Sequence, residues 1–187
     1  GVAVYFEKHT ARLHNDALIE MIGSGKVTVL ESLSLQLSVE ELLDDLLQTI
    51  ERTGAKRVVI DSLSEIGLYL APEFRHDLRL SVFRTLATLA RRGVTVMVMV
   101  GYEDNRPDMR FSIDNICFLA DAVLSLRFAE VEGHLCKFMT VVKVRGIAHS
   151  NEIRAYRITD NGIEVESRAA PYDAVLTGWP TPRKPHR

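Results

Sequence analysis

Two stretches limit the folds open to this chain: Arg57-Val58-Val59-Ile60 and Val94-Thr95-Val96-Met97-Val98-Met99-Val100. Neither alternates apolar with polar residues as a strand with one wet face must. Apolar at nearly every position, they require burial on both faces, which a parallel sheet covered by helices provides. The flanking segments agree. Pro72 suits the first turn of a helix over about 73–92, and Gly93 ends it. Ser38-Val39-Glu40-Glu41 is a capping box. The helix it opens carries Leu42, Leu43, Leu46, Leu47 and Ile50 on one face and stops at Gly54. Thr10 caps a helix over about 11–22, ended by Gly23, and strands are expected over 2–6 and 26–30. Strand and helix alternate, so the class is α/β.

From Ala122 the pattern changes. Residues 123–128, 136–144 and 153–159 read as strands with no helices between them, and a short helix over 113–119 precedes them. Glu132-Gly133 supplies one turn, and Asp160-Asn161-Gly162 supplies another before Ile163-Glu164-Val165. The expected architecture is a mostly parallel sheet with a C-terminal antiparallel β-meander on its edge. Residues 1–165 form the folded core. Residues 166–187, with four prolines and the basic end Arg183-Lys184-Pro185-His186-Arg187, are expected to be an extended tail.

Composition removes several function classes. The 187 residues carry a net charge of −2, so no general basic field recruits nucleic acid or an anionic membrane. Two cysteines, Cys117 and Cys136, make neither a disulfide scaffold nor a four-ligand zinc site, and a reducing, cytoplasmic setting is expected. No apolar run has the length of a membrane span. Gly1 runs directly into a strand-like segment, which predicts that further chain lies upstream.

Ligands of open parallel sheets bind at the carboxyl ends of the strands. Glu7, Asp61 and Glu103 are expected there. An Asp directly after four apolar strand residues has the form of a Walker B element, whose carboxylate reaches Mg²⁺ through water while the metal bridges nucleotide phosphates. A Glu on the neighbouring strand can deprotonate an attacking water. The phosphate loop G-x-x-x-x-G-K-[ST] is not matched by Gly23-Ser24-Gly25-Lys26-Val27. Glu20 stands where the first glycine belongs, Val27 has no hydroxyl, and the order is helix then strand. Finally, Lys143 and Arg145, followed by Gly146 and His149, place two cations on one strand where they can grip a phosphate. An ordinary basic strand face is the plainer reading of that motif taken alone.

Taken in order, these segments resemble an ATPase domain of the KaiC family within the RecA-like superfamily. The matching pieces are Phe6-Glu7, Gly54-Ala55-Lys56-Arg57-Val58-Val59-Ile60-Asp61-Ser62-Leu63, Phe74-Arg75, Val141-Val142-Lys143-Val144-Arg145-Gly146 with His149, and Ile158-Thr159-Asp160-Asn161-Gly162-Ile163. The resemblance runs from residue 1 to about 165. It implies a RecA-like three-layer sandwich and a homo-oligomer, a hexameric ring that binds ATP and Mg²⁺ between subunits. In it, Asp61 is the Mg²⁺-associated acid and Glu7 handles the attacking water. Lys143 and Arg145 reach a neighbour's γ-phosphate, and His149 and Asp160 lie near the same nucleotide.

There are departures from the family pattern. Lys8 stands where a second acid is usual. Cys117-Phe118 occupies the region of the clock protein's phosphorylated hydroxyls, and Gly101-Tyr102 stands in place of a polar sensor. The phosphate loop, with its strand and helix, is missing from these 187 residues; the resemblance sets that strand between 94–100 and 123–128. An alternative reading follows from this: a degenerate, non-catalytic RecA-like module that acts through a signalling protein partner. A DNA-binding role is disfavoured, because the loop after Val100 has three acids against one Arg.

Overall fold

The computed structural model describes residues 3–6, 16–30, 39–63, 75–101, 118–160, 162–177 and 180–182. The chain divides into two compact units, Gly1–Gly101 and Tyr102–Arg187. The expectations that fall on Thr10, Ser38 and Pro72, the helix over 113–117 and the basic end 183–187 lie outside the described residues.

The first unit is a parallel sheet with helices. Its elements are β1 (Ala3–Phe6), α1 (Asp16–Gly23), β2 (Val27–Leu30), α2 (Val39–Thr53), β3 (Arg57–Ile60), α3 (Arg75–Arg91) and β4 (Thr95–Val98). The strand order is β2-β1-β3-β4, and every pairing is parallel. The connection from β1 to β2 steps one way across the sheet, and the next two step the other way. Right-handed crossovers then put α2 and α3 on one face and α1 on the other. Consistent with this, the Ser81 hydroxyl on α3 donates to Glu40 Oε1 on α2 at 2.9 Å, and Arg92 pairs with Glu51 at 2.6 Å. Leu46 and Ile50 of α2, Ala55, Val58 and Ile60 at β3, Leu89 of α3 and Val94 form the core on that face.

Local chemistry sets the boundaries. Gly93 sits at φ 70°, where an L side chain is strained, and completes a Schellman cap: Gly93 N donates to Ala90 O and Val94 N to Leu89 O, both at 3.0 Å. Helix α1 ends in the same way, but its left-handed residue is Gly25 rather than the expected Gly23. The segment tested against the phosphate loop is therefore a helix stop leading into β2. Strand β4 departs from expectation. It was expected to be buried on both faces, yet Met97 is 58% exposed and Met99 is also exposed. Among the described residues β4 pairs with β3 alone, which leaves its other side open. Leu89 is fully buried. Leu89→Ala should therefore cost about 2–5 kcal/mol, seen as a lower urea midpoint with an unchanged slope.

The second unit is antiparallel. Strands β5 (Ala122–Val131), β6 (His134–Val144), β7 (Arg154–Thr159) and β8 (Gly162–Val165) pair in sequence order. Glu132 and Gly133 both have positive φ, as a two-residue hairpin needs. The α/β class with a parallel sheet and a C-terminal antiparallel meander is as expected, and among the described residues the meander is a four-stranded sheet in the order β5-β6-β7-β8.

Residues 170–177, expected to be part of an extended tail, are packed. Val175 is fully buried, and with Ala170 it joins Ala129, Val131 and Phe138 in a second core. Arg127 Nη1 donates to Leu176 O at 3.1 Å. Strands β9 (Tyr172–Asp173) and β10 (Thr181–Pro182) pair beyond it. Apolar anchors at 170, 172 and 175 outweigh the proline-rich composition. Among the described residues no helix is long and apolar enough to cross a membrane.

Candidate functional site

The parallel unit brings the ends of β1 and β3 together. Ala3 to Phe6 pair in register with Arg57 to Ile60, so Phe6 lies beside Ile60. Asp61, the residue after Ile60, opens a tight turn and is half-buried. Two backbone hydrogen bonds fix that turn to the end of β4. Met99 N donates to Ile60 O at 2.9 Å, and Leu63 N donates to Met99 O at 3.0 Å. Leu63 is buried beneath it, and the Asp61–Ser62 peptide is cis. The carboxylate thus stands at the carboxyl rim of a buried strand on a braced turn, as a ligand site in this class of sheet requires. Glu7, Lys8, Glu103 and Tyr102 lie outside the described residues.

One carboxylate suits Mg²⁺ better than most metals. Mg²⁺ keeps several waters and takes one or two carboxylates plus substrate phosphates. Among the described residues no three His, Cys, Asp or Glu side chains gather into a protein-only cage. The Asp61 carboxylate at the strand rim is compatible with such an ion.

Lys143 lies at the end of β6, which stops at Val144, so Arg145 opens the turn beyond it rather than standing on the strand as expected, and the register at the strand's end is irregular. Val123 pairs with Lys143, but Leu124 pairs with Val141, leaving Val142 as an extra residue. Paired residues share a face, so Lys143 and Val141, two apart, face opposite sides of the sheet. A regular strand would have put them on the same side. Such bulges re-aim side chains and are common beside functional sites. Arg145 is anchored to the turn before β5. Its backbone N donates to Asp121 O at 2.7 Å, Nη2 donates to Phe118 O at 3.0 Å, and Nη1 lies 3.4 Å from Asp121 Oδ1. Both members of that ion pair are largely exposed. Nothing in the sequence pattern pointed to Asp121 or the Phe118 carbonyl, since each lies more than twenty positions from Arg145.

His149 closes the same segment, half-buried, with Nδ1 3.4 Å from Ile147 O. Asp160 does not join the group. Met139 pairs with Arg154; Lys143 lies beyond one and Asp160 beyond the other in the opposite direction, roughly 30 Å apart at strand rise. Asp160 occupies the β7–β8 turn, where Thr159 Oγ1 donates to Gly162 O at 3.2 Å. A single phosphate cannot touch both Asp160 and Lys143 of one copy.

An alternating βα unit with its acid on the carboxyl rim, followed by an antiparallel meander, defines a RecA-like α/β protein. The chain belongs to the KaiC ATPase family: the family model described as the KaiC ATPase matches residues 5–170. A UPF0273 protein of Methanopyrus kandleri is 32% identical over 127 residues, covering 67% of this chain and 48% of that protein. The circadian clock oscillator protein KaiC of Rippkaea orientalis is 22% identical over 187 residues, covering 94% of this chain and 34% of that protein. The crystal structure of a KaiC-like protein from Pyrococcus horikoshii superposes with a TM-score of 0.73 at 22% identity, covering 88% of this chain and 75% of the other. The chain thus spans about half the length of the UPF0273 relative and a third of the clock protein.

Proposed function

We propose that this chain forms part of an ATP-hydrolysing ring in which the nucleotide is held between subunits. The observation that carries the reading is the register of β1 and β3, which sets Phe6 beside Ile60 immediately before Glu7 and Asp61. In this reading Asp61 holds Mg²⁺ through water, and Glu7 takes a proton from the attacking water. Lys143 and Arg145 of one copy stabilise the charge that develops on the phosphate bound by the next. His149 follows these cations on the same segment, whereas Asp160, roughly 30 Å from Lys143 along the sheet, is too far to meet the same nucleotide as Lys143 of one copy. The ring is a homo-oligomer in a reducing, cytoplasmic setting.

No G-x-x-x-x-G-K-[ST] motif occurs within the 187 residues, so the phosphate cradle comes from other sequence. Titration of the isolated chain with MgATP should accordingly give at most weak, millimolar-range binding (about 4 kcal/mol). Micromolar binding in a calorimeter would refute that division of labour. The reading itself is tested by assembling the chain with a copy that carries a phosphate loop and measuring Mg²⁺-dependent ATP turnover. Asp61→Asn should then abolish most of the turnover, and unchanged turnover would remove Asp61 from the site.

A further inference from the structure

A large apolar side chain exposed singly on a surface is ordinary. Phe118 is set apart by what its backbone does. Its carbonyl accepts from Arg145 Nη2 at 3.0 Å, so the residue sits one hydrogen bond from the guanidinium. Its ring is nevertheless 74% exposed. Two residues past Arg145, Ile147 is 69% exposed. Neither side chain joins the core that Ala129, Val131, Phe138, Ala170 and Val175 form. The turn therefore presents a cation in the company of two large apolar groups that its own unit leaves in water. The cation is wet as well: the Arg145 side chain is 59% exposed, and the Asp121 carboxylate beside it is more so.

We propose that Phe118, with Ile147 beside it, closes over the phosphate that Arg145 engages and keeps water from the contact. The inference deepens the ring reading and rests on it for the phosphate, which a neighbouring copy binds. A guanidinium and a phosphate attract each other about fourfold more strongly at an effective dielectric of ~20 than in bulk water at ~80. Salt weakens the attraction further while the pair is exposed. Arg145 in the single chain is in that weak regime, so any shielding has to arrive with the phosphate. An apolar ring on the residue whose carbonyl holds the guanidinium is carried in with it. It excludes water and offers no donor or acceptor of its own to compete for the phosphate. Its apolar surface leaves water in the same event, which favours closure. Phe118 thus acts through Arg145: it moves no proton, and it is a positioning and shielding residue rather than a catalytic one.

The chain assembled with a copy that carries a phosphate loop, assayed for Mg²⁺-dependent ATP turnover, tests this. Phe118→Ala should lower kcat about tenfold, a fraction of the ~10³-fold that the cations themselves supply. KM should stay unchanged, as when an interaction made in the transition state is lost. Turnover in the variant should also fall more steeply as ionic strength is raised from about 0.05 to 0.5 M, because the opened contact is now screened. Phe118→Leu keeps the apolar bulk and should restore most of the turnover and the shallow salt response. In a chain already carrying Lys143→Ala and Arg145→Ala, Phe118→Ala should cost nothing further, since groups that act as a unit are not additive. A Phe118→Ala variant with wild-type turnover and salt response would overturn the inference. So would a loss as large without the two cations as with them, which is what a merely distorted turn would give. Both of those outcomes leave the ring reading intact. A wild-type assembly that turns over no ATP, or one indifferent to the loss of Lys143 and Arg145, would overturn the ring reading and this inference together.

Discussion

In an assembly that turns over ATP, replacing Lys143 and Arg145 together by alanine should lower turnover about 10³-fold or more. A cation supplied in trans stabilises negative charge on the transferring phosphoryl group, where it is needed most in the transition state. Each factor of ten corresponds to about 1.4 kcal/mol, so the expected loss is at least ~4 kcal/mol. Against this stands the cost of freeing Arg145 from Asp121 and Phe118 O. That ion pair is long and largely solvent-exposed, and exposed pairs contribute about 0–1 kcal/mol. A phosphate engaged by two parallel, charge-assisted hydrogen bonds outcompetes it. In the proposed ring the cis contact is then a resting position, and Asp121→Ala should change turnover no more than a few-fold. Single-turnover assays on the assembly, with the double variant placed only in this chain, separate the two cases. Undiminished chemistry in the double variant would end the trans-finger role.

The ease with which each feature could be read from sequence follows from the range of the interaction that makes it. Gly54 and Gly93 lie close in sequence to the carbonyls they cap, and the Glu132-Gly133 hairpin is equally local, so residue type sufficed for these. Strand β3 and Asp61 were legible because the apolar run Val58-Val59-Ile60, with Val58 and Ile60 buried and Val59 half-buried, marks a strand packed in a sheet and the Asp follows it directly. The bulge at Val142 was not. Three valines and a lysine pair as easily in either register, and only the partner strand decides which residue is left over. The Arg145–Asp121 contact joins positions brought together by that pairing, so no short-range pattern announces it. The exposure of Met97 and Met99 accompanies a β4 that, among the described residues, pairs with β3 alone, and which strands pair is decided by the sheet rather than by one strand's residues. In the same way, prolines at 171, 180, 182 and 185 made the C-terminal stretch look extended, while three spaced apolar residues were enough to dock part of it.

Phe138→Ala should be the most damaging single core substitution in the antiparallel unit, at about 3–5 kcal/mol. Phe138 is among the largest fully buried side chains. Its ring meets Tyr172 edge-on, with centroids 6.4 Å apart and planes at 77°. Such a pair adds about 0.5–1.5 kcal/mol beyond the area it buries. Ala129, Val131, Ala170 and Val175 surround it, so truncation leaves a cavity walled by small residues that cannot collapse into it. The loss should concentrate where Phe138 holds the C-terminal stretch to the sheet. Hydrogen exchange should accelerate at Ala170 N, which donates to Ile153 O at 2.7 Å, and at Thr177 N, which donates to Ala174 O at 3.1 Å. A leucine substitution retains most of the volume but loses the edge-on contact, and should cost under about half as much. A cost below about 1 kcal/mol for Phe138→Ala, or unchanged protection at Ala170, would mean that residues 170–177 are held by their backbone hydrogen bonds and the Arg127–Leu176 contact rather than by this ring.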